Sequence, residues 1–336
     1  MKKKALFITI ISTLVLAGCA KGPGKHFEDF RPVAMQKADI LPASGKLKGE
    51  KIKVVIFTPD DGGIELAKKS KSGHSIAGTV ETLLADAGVE IVDRKIASKL
   101  QSEIRLAETK GKSEYQGPDI ADYAITGSIS TAQVSTRFTK RRSWTSKKGK
   151  TYVTPAYCRY TAKVTGNLKL YTLPALTYAK TISINDSASS KTETSNSRCP
   201  MSFAQQQSLV RSAAVEAVED SKVKFQNFFA PKAYVLERRA FEDEDIFKLS
   251  AGSNLGFKAG DELNFFSVRE SENLLTHEVN REIYPITEGE VVSGLVFDGY
   301  VWVAVDHEKA DHIRLGDYAT VEYTEGFFKK LDNLIK

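Results

Sequence analysis

Two histidines near the carboxyl end have a spacing close to that of a zinc motif. His307-Glu308-Lys309-Ala310-Asp311-His312 has one residue more than the H-E-x-x-H pattern. At that spacing the two imidazoles leave the common helical face from which they would bind one ion. The sequence therefore does not predict a zinc site here.

Two other polar groups are also interpreted as structural. Gly73-His74-Ser75-Ile76-Ala77-Gly78 has an extra residue relative to a nucleophile elbow and lacks the preceding strand, so Ser75 is predicted to cap a helix. Asp60 and Asp61 follow a first strand, where α/β sheets often bind ligands. With no third carboxylate or phosphate loop nearby, residues 58–63 are predicted to form a turn instead. An enzyme is the least favoured class.

Cys19 carries the strongest chemical prediction. The chain begins with three lysines and an apolar core, Leu6 to Leu16, that is too short to span a bilayer. Leu16-Ala17-Gly18-Cys19 matches the lipobox of bacterial lipoproteins. This resemblance implies a signal peptide of residues 1–18, a diacylglyceryl group on the Cys19 sulfur, and acylation of the new amine, for instance by palmitate. The alternative is a plain secretory signal with a chance cysteine.

The residue after Cys19 bears on the location of the protein. Ala20 stands there instead of Asp, so the inner-membrane retention signal of the lipoprotein family is missing. We therefore expect an outer-membrane protein, anchored by lipid in the inner leaflet and facing the periplasm. Residues 19–50, with several prolines and glycines, are predicted to form a tether; part of it packing on the body as irregular structure is the alternative.

The two remaining cysteines fit an oxidising compartment. Cys158 and Cys199 are predicted to form a disulfide that contributes roughly 3 to 4 kcal/mol. Two free, buried thiols are the alternative.

The charge is unevenly distributed. From Ala233 onward there are 11 Lys and Arg against 21 Asp and Glu, which is a net charge of −10. Since the whole chain has a net charge of +6, the part before Ala233 carries +16. A basic body joined to an acidic domain can associate head to tail between copies or face two partners. Alternatively, each charge simply keeps its own domain dispersed in water.

Residues 51–230 are predicted to form an α/β domain. Apolar periodicity gives strands at residues 52–57, 89–92, 121–129, 157–171 and 177–184. It gives helices at residues 74–87 and about 95–108, and a long helix that begins at a capping box, Ser202-Phe203-Ala204-Gln205. Residues 185–200 are interpreted as a polar loop. This order predicts a sandwich with a mixed sheet.

Two of these segments resemble a known family. Val89-Glu90-Ile91-Val92-Asp93-Arg94 and Ala121-Asp122-Tyr123-Ala124-Ile125-Thr126-Gly127-Ser128-Ile129 are similar to segments of the curli-secretion lipoproteins. Relatives include the amino-terminal domain of TolB, lipoprotein activators of penicillin-binding proteins, and the middle domain of flagellar outer-ring proteins. The resemblance covers residues 50–230. The chain departs from it at Leu173-Pro174-Ala175-Leu176, where relatives often have a D-x-x-T-G-like turn.

Residues 231–325 are predicted to form a small β-barrel. A short segment repeats: Phe257 to Leu263 recurs as Ile313 to Ala319, with a Gly-Asp turn before a strand in both. This part resembles the SH3-like carboxy-terminal domain of flagellar ring proteins. Residues 326–336 are predicted to form an amphipathic terminal helix.

The resemblance also indicates which residues of this chain would insert into the membrane if it formed a channel. The hairpins that do so in the curli channel correspond to residues 133–157 and 184–203. Neither has the ten-residue apolar alternation that a spanning strand needs. The first holds seven positive charges, no acids and one tryptophan. We call this segment the basic hairpin; its residues are Arg137, Lys140, Arg141, Arg142, Trp144, Lys147, Lys148 and Lys150.

The basic hairpin is a candidate binding surface. It could bind acidic lipid headgroups or an acidic partner, or be only a solvated loop. Nucleic acid fits the charge but not the compartment. Together these features predict a non-catalytic structural or assembly subunit of an envelope machine, most like a flagellar outer ring. We expect the protein to be a homo-oligomer, to have other proteins of that machine as partners, and to use no metal or cofactor. The alternatives are a tethered activator of a peptidoglycan synthase and an accessory of a secretion channel.

Overall fold

A computed structural model describes residues 27–47, 50–95, 97–110, 120–272, 274–275, 277 and 279–324. The signal peptide, Cys19 and the predicted terminal helix therefore lie outside the described residues. The first described segment contributes a 3₁₀ turn (Phe27–Asp29), β1 (Arg31–Val33) and α1 (Ser44–Leu47). The elements of the α/β domain follow, namely β2 (Lys53–Ile56), α2 (Glu65–Ser70), α3 (Ser72–Asp86), β3 (Glu90–Val92), α4 (Ser98–Lys110), β4 (Tyr123–Thr139), β5 (Arg142–Thr145), β6 (Thr151–Thr154), β7 (Tyr157–Thr172), β8 (Thr177–Glu193), α5 (Phe203–Asp220) and α6 (Lys222–Phe228).

The α/β domain is built on a mixed five-stranded sheet of order β3-β2-β4-β7-β8. β2 pairs parallel with β3 and β4, while β4, β7 and β8 form an antiparallel meander. Successive residues of β2, and Phe57 directly after it, point to opposite faces, so Val54 and Ile56 enter one core and Val55 and Phe57 the other. The predicted mixed-sheet α/β sandwich is confirmed.

Helices cover both faces of this sheet. The first core receives α2, α3, α5 and α6, whose buried side chains include Ile76, Val210 and Phe225. The second core is smaller and is closed by α4 through Leu100 and Ile104. The predicted capping box begins α5, because the Ser202 hydroxyl accepts from the Gln205 amide and the Gln205 side chain accepts from the Ser202 amide.

Two local predictions in this domain were wrong. Ser75 does not cap a helix, because α3 begins at Ser72, three residues earlier, directly after α2. Residues 185–193 are not a loop but the second half of β8, paired with β7 up to Glu193. Their side chains are mostly small and polar, so the apolar alternation that normally marks a strand is missing. The turn after β2 is confirmed, since Asp60 Oδ1 accepts from the Gly62 amide at 2.7 Å.

A second, antiparallel sheet forms a small closed barrel. Its elements are β9 (Ala233–Phe241), β10 (Glu244–Leu249), a 3₁₀ turn (Ser253–Leu255), β11 (Glu262–Glu272), β12 (Val279–Val296), β13 (Val301–Asp306), α7 (His307–Ala310) and β14 (Tyr318–Val321). The sheet order β9-β10-β13-β12-β11-β14 closes because β14 also pairs with β9. Phe247, Phe257 and Phe265 fill its core. The predicted small β-barrel after the α/β domain is confirmed.

The barrel has an internal pseudo-two-fold symmetry. A shift of 56 residues relates the repeated segment at Phe257 to the one at Ile313. The backbone pairing repeats with the same shift. Gly260 and Asp261 exchange backbone hydrogen bonds with Val291, whereas Gly316 and Asp317 exchange them with Val235, which precedes Val291 by 56 residues.

The repeated turns also share their local geometry. Gly260 and Gly316 have φ of +82° and +96°, a conformation that side chains other than glycine's rarely adopt. In both turns the aspartate accepts from the amide three residues earlier: Lys258 to Asp261 at 2.7 Å and Arg314 to Asp317 at 2.8 Å. The repeated segment in the sequence therefore marks two equivalent halves of one barrel.

The tether is shorter than predicted, because residues 27–39 belong to the barrel. β1 pairs antiparallel with β9, and Phe30 is buried beside Ile246 and Trp302. Further along, Ala38 donates its amide to Leu315 O at 2.9 Å. The free energy gained by burying these apolar side chains outweighs the conformational entropy that is lost when the segment becomes ordered. Its prolines and glycines had instead suggested a flexible segment.

The two domains are joined at residues 229–232. The side-chain amide of Asn227, in α6, donates to Tyr323 O at 2.9 Å and accepts from the Tyr323 amide at 2.7 Å. Lys232 lies over the Tyr318 ring, and burial lowers the pKa of this lysine. Within the described ranges, no helix combines the length and apolarity needed to cross a bilayer.

Candidate docking surface

The outer half of the long meander has two very different faces. We call it the distal sheet: residues 131–139 of β4, 157–165 of β7 and 185–193 of β8. One face packs on α5 through small side chains such as Ala132, Ala162 and Ala188. The other face is polar and accessible, with Glu193 as its one acidic residue, and consists of Thr131, Gln133, Ser135, Arg137, Thr139, Tyr157, Arg159, Thr161, Lys163, Thr165, Asn185, Ser187, Ser189, Lys191 and Glu193.

A disulfide fixes the far end of the distal sheet. Cys158, the second residue of β7, is bonded to Cys199 in the loop before α5, and both are buried. The Tyr160 hydroxyl donates to Pro200 O at 3.0 Å, and the Thr194 amide donates to Ala156 O at 3.0 Å. The loop is therefore held against the strands that carry the basic hairpin.

Replacing Cys158 and Cys199 together with serine is expected to lower the free energy of unfolding of the α/β domain by about 4 kcal/mol, because the bond closes a long loop in the unfolded chain. Denaturant unfolding of the oxidised parent and the double variant measures the difference. As a control, dithiothreitol should destabilise the parent and leave the variant unchanged. Equal stabilities of parent and variant would contradict the expectation.

The basic hairpin continues from β4 and β7 at that end. β5 and β6 form its two-stranded ladder, in which Trp144 is opposite Tyr152. Their rings stack with centroids 4.6 Å apart, yet they are 59 % and 42 % exposed. All seven positive side chains predicted for this surface are exposed as well. The hairpin thus combines an accessible aromatic pair with a high positive charge.

The distal sheet extends this charge in a way that the sequence analysis missed. Arg137 is paired with Arg159, and Arg159 is paired with Lys191, so three exposed cations lie side by side across β4, β7 and β8. We call them the positive row. Like charges directly opposite on neighbouring strands destabilise a sheet. Their alignment here is therefore unfavourable for folding and favourable for binding an anionic surface.

The local electrostatics agree with this description. A hydrogen bond with Thr139, followed by the charges of Arg159 and Lys191, holds the pKa of the Tyr157 phenol below its usual value. The Lys191 ammonium also lies 5.6 Å from the centre of the Tyr157 ring. Arg159 lies in the strand predicted at residues 157–171, but Lys191 could not be aligned with it while residues 185–200 were interpreted as a loop.

The other candidate residues do not come together as a reactive site. His307 begins α7, and its Nδ1 contacts Asp245 at 2.5 Å, whereas His312 follows that helix and donates its backbone amide to Lys309 O. Asp60 belongs to the turn after β2. In the part of the chain that the structure describes, no three His, Cys, Asp or Glu side chains are grouped as ligands for one metal ion.

Comparisons with known proteins add little to this geometry. No protein-family model matches the sequence, and no curated protein matches it. Among solved structures, lipoprotein GNA1162 from Neisseria meningitidis is 11 % identical over 51 % of this chain and 99 % of that chain, with a TM-score of 0.25. A PelC dodecamer from Paraburkholderia phytofirmans is 13 % identical over 55 % and 96 %, with a TM-score of 0.20.

A third solved structure has a similarly low sequence identity and TM-score. The hypothetical protein CT253 from Chlamydia trachomatis is 8 % identical over 52 % of this chain and 98 % of that chain, with a TM-score of 0.28. At TM-scores this low, the likenesses carry no argument about the fold or function of this chain.

Proposed function

We propose that this protein is an outer-membrane lipoprotein, anchored through Cys19 and facing the periplasm, that acts as a non-catalytic structural or assembly subunit of an envelope machine, most like a flagellar outer ring. The observation that carries the proposal is the disulfide-braced distal sheet with its positive row and basic hairpin. A surface with this charge and an accessible Trp144–Tyr152 pair is suited to docking on an acidic protein partner.

The energetic cost of the positive row supports a binding role. The sheet would be more stable with neutral side chains at Arg137, Arg159 and Lys191, since adjacent cations repel each other. An acidic partner removes that repulsion when it binds. The positive row thus lowers the stability of the free protein and raises the stability of a complex. This property is suited to a subunit that functions in an assembly.

The anchor geometry favours this function over the tethered activator. Residues 27–39 lie on the barrel, so the stretch from Cys19 to Phe27 spans eight residues and at most about 28 Å. A lipid on Cys19 would therefore keep the barrel close to the membrane. An activator that reaches through the cell wall to a synthase needs a longer tether than these eight residues.

Gentle extraction from membranes tests the proposal. We expect the protein to partition with the membrane fraction and to be recovered in a large assembly, visible as a ring by negative-stain microscopy. Replacing Arg137, Arg159 and Lys191 with serine should reduce recovery of the assembly at least ~10-fold without lowering the stability of the α/β domain, because repulsion is removed.

A charge-matched variant is the control for this experiment. Serine at Lys68, Lys222 and Lys224, exposed lysines on α2 and α6, removes the same charge elsewhere and should leave the assembly intact. Recovery of a monomer, alone or with one synthase-sized partner, would contradict the assembly function and favour the tethered activator. Binding to anionic vesicles in place of a protein assembly would assign the positive row to lipid headgroups.

A further inference from the structure

The barrel carries a long hairpin that extends beyond its closed sheet. β14 pairs with β11 only as far as Phe266, and β13 pairs with β12 only from Gly289. Beyond these points, β11 and β12 pair only with each other among the described residues. We call residues 267–288 the acidic hairpin, because they contain five glutamates and two arginines, a net charge of −3.

One face of the acidic hairpin exposes apolar side chains on either side of an ion pair between Glu270 and Arg281. Val268 is paired with Ile283, and Val279 lies further along the same face. Val279 and Ile283 are 60 % and 55 % exposed, and Leu274 and Leu275 at the tip are 83 % and 92 % exposed. Isolated apolar side chains on a surface are ordinary, but two adjacent exposed leucines at a hairpin tip, with Val279 and Ile283 on the strand behind them, indicate a contact site.

The basic hairpin has the complementary properties. It carries +7 against −3, and it exposes Trp144, Tyr152 and Val153. In one chain the apolar side chains of both hairpins remain exposed, so the two surfaces do not satisfy each other within a molecule. A membrane surface would attract the basic hairpin but repel the acidic one, whereas a contact between copies uses both.

We propose that the acidic hairpin of one copy docks on the basic hairpin of the next copy. This inference rests on the proposed function and names the acidic partner of the same surface as a second copy of this chain. Two different surfaces meet in such a contact, so it is heterologous and repeats from copy to copy. Repetition gives a closed ring where the rotation closes, as an assembly subunit of a ring requires.

Charge reversal of the full-length, lipidated protein tests the contact. Lys140, Arg141, Arg142, Lys147 and Lys148 changed to Glu turn the basic hairpin from +7 to −3, and Glu270, Glu272 and Glu288 changed to Lys turn the acidic hairpin from −3 to +3. Each variant alone should associate with itself at least ~10-fold more weakly than the parent in sedimentation analysis. The two variants mixed, or all changes combined in one chain, should associate again.

A cysteine pair gives a readout that does not depend on charge. Trp144→Cys and Leu274→Cys, introduced together, should form a disulfide between chains, seen as dimers and higher multimers on a non-reducing gel. Trp144→Cys with Leu41→Cys, another exposed apolar position, should not. Undiminished self-association of both reversed variants, or an absent crosslink between chains, would overturn the proposal.

The outcome also separates this proposal from the proposed function. A native envelope assembly that persists while self-contact between the hairpins is absent would refute the copy-to-copy contact and leave the assembly function standing. A parent protein that is monomeric after gentle extraction and binds no envelope protein would refute both.

Discussion

Replacing Asp245 with alanine is expected to destabilise the barrel by about 3–5 kcal/mol, because it leaves a buried guanidinium without its buried partner. Asp245 is fully buried and accepts from Arg238 Nε and His307 Nδ1, each at 2.5 Å. Arg238 is itself 8 % exposed. Burial alone would lower the pKa of Arg238, but its hydrogen bonds with Asp245 and Asp311 outweigh that effect and raise it.

Asp311 provides the matched control for this variant. It contacts the same guanidinium at 2.5 Å, but its side chain is 83 % exposed. Asp311→Ala should change the stability little, since water replaces an exposed carboxylate at low cost. Denaturant unfolding followed by tryptophan fluorescence compares the two variants, because Trp302 lies in the barrel. Equal losses from the two substitutions would contradict the importance of burial.

Gly252→Ala is expected to cost the barrel about 3 kcal/mol, through steric overlap. A Cβ atom on Gly252 would overlap Phe297 O and would lie 2.7 Å from both Asp298 O and Tyr300 N. These are backbone atoms of the turn between β12 and β13, so they cannot move aside as the end of a side chain can. Either that turn or the 3₁₀ turn after Gly252 must shift.

The same turn contains a glycine that tests this argument. A Cβ on Gly299 would meet no atom within 4 Å, so Gly299→Ala should stay within about 0.5 kcal/mol of the parent. Thermal unfolding of both variants distinguishes the effect of close approach from a general effect of losing glycine. A similar cost at both positions would contradict the steric explanation.

Much of the α/β domain could be predicted because its signals are local. The apolar stripe of α5 and its capping box fixed the start of that helix to the residue. The alternation of apolar and polar residues along β7 predicted a strand at residues 157–171, and the observed strand covers Tyr157–Thr172. The pairing of Cys158 with Cys199 followed from counting cysteines in an oxidising compartment.

The positive row could not be predicted, because it depends on register between distant strands. Lys191 lies in the half of β8 whose pattern is polar, and along residues 185–193 only Ala188 is buried. Without that strand there is no third cation beside Arg137 and Arg159. The docking of Phe30 on the barrel was missed for a similar reason, since its partners are more than two hundred residues away.

The pseudo-symmetry of the barrel gives the acidic hairpin an origin. A shift of 56 residues relates β9, β10 and the start of β11 to the end of β12, β13 and β14, and the acidic hairpin lies between these two halves. An internal duplication would produce this arrangement, with the hairpin as the connector between the two halves, and the strand pairs that close the barrel lie outside it. Such a connector is free to lengthen and to acquire new side chains while the duplicated strands remain constrained by their shared core. Selection acting on this one segment could give the barrel a partner without altering its fold.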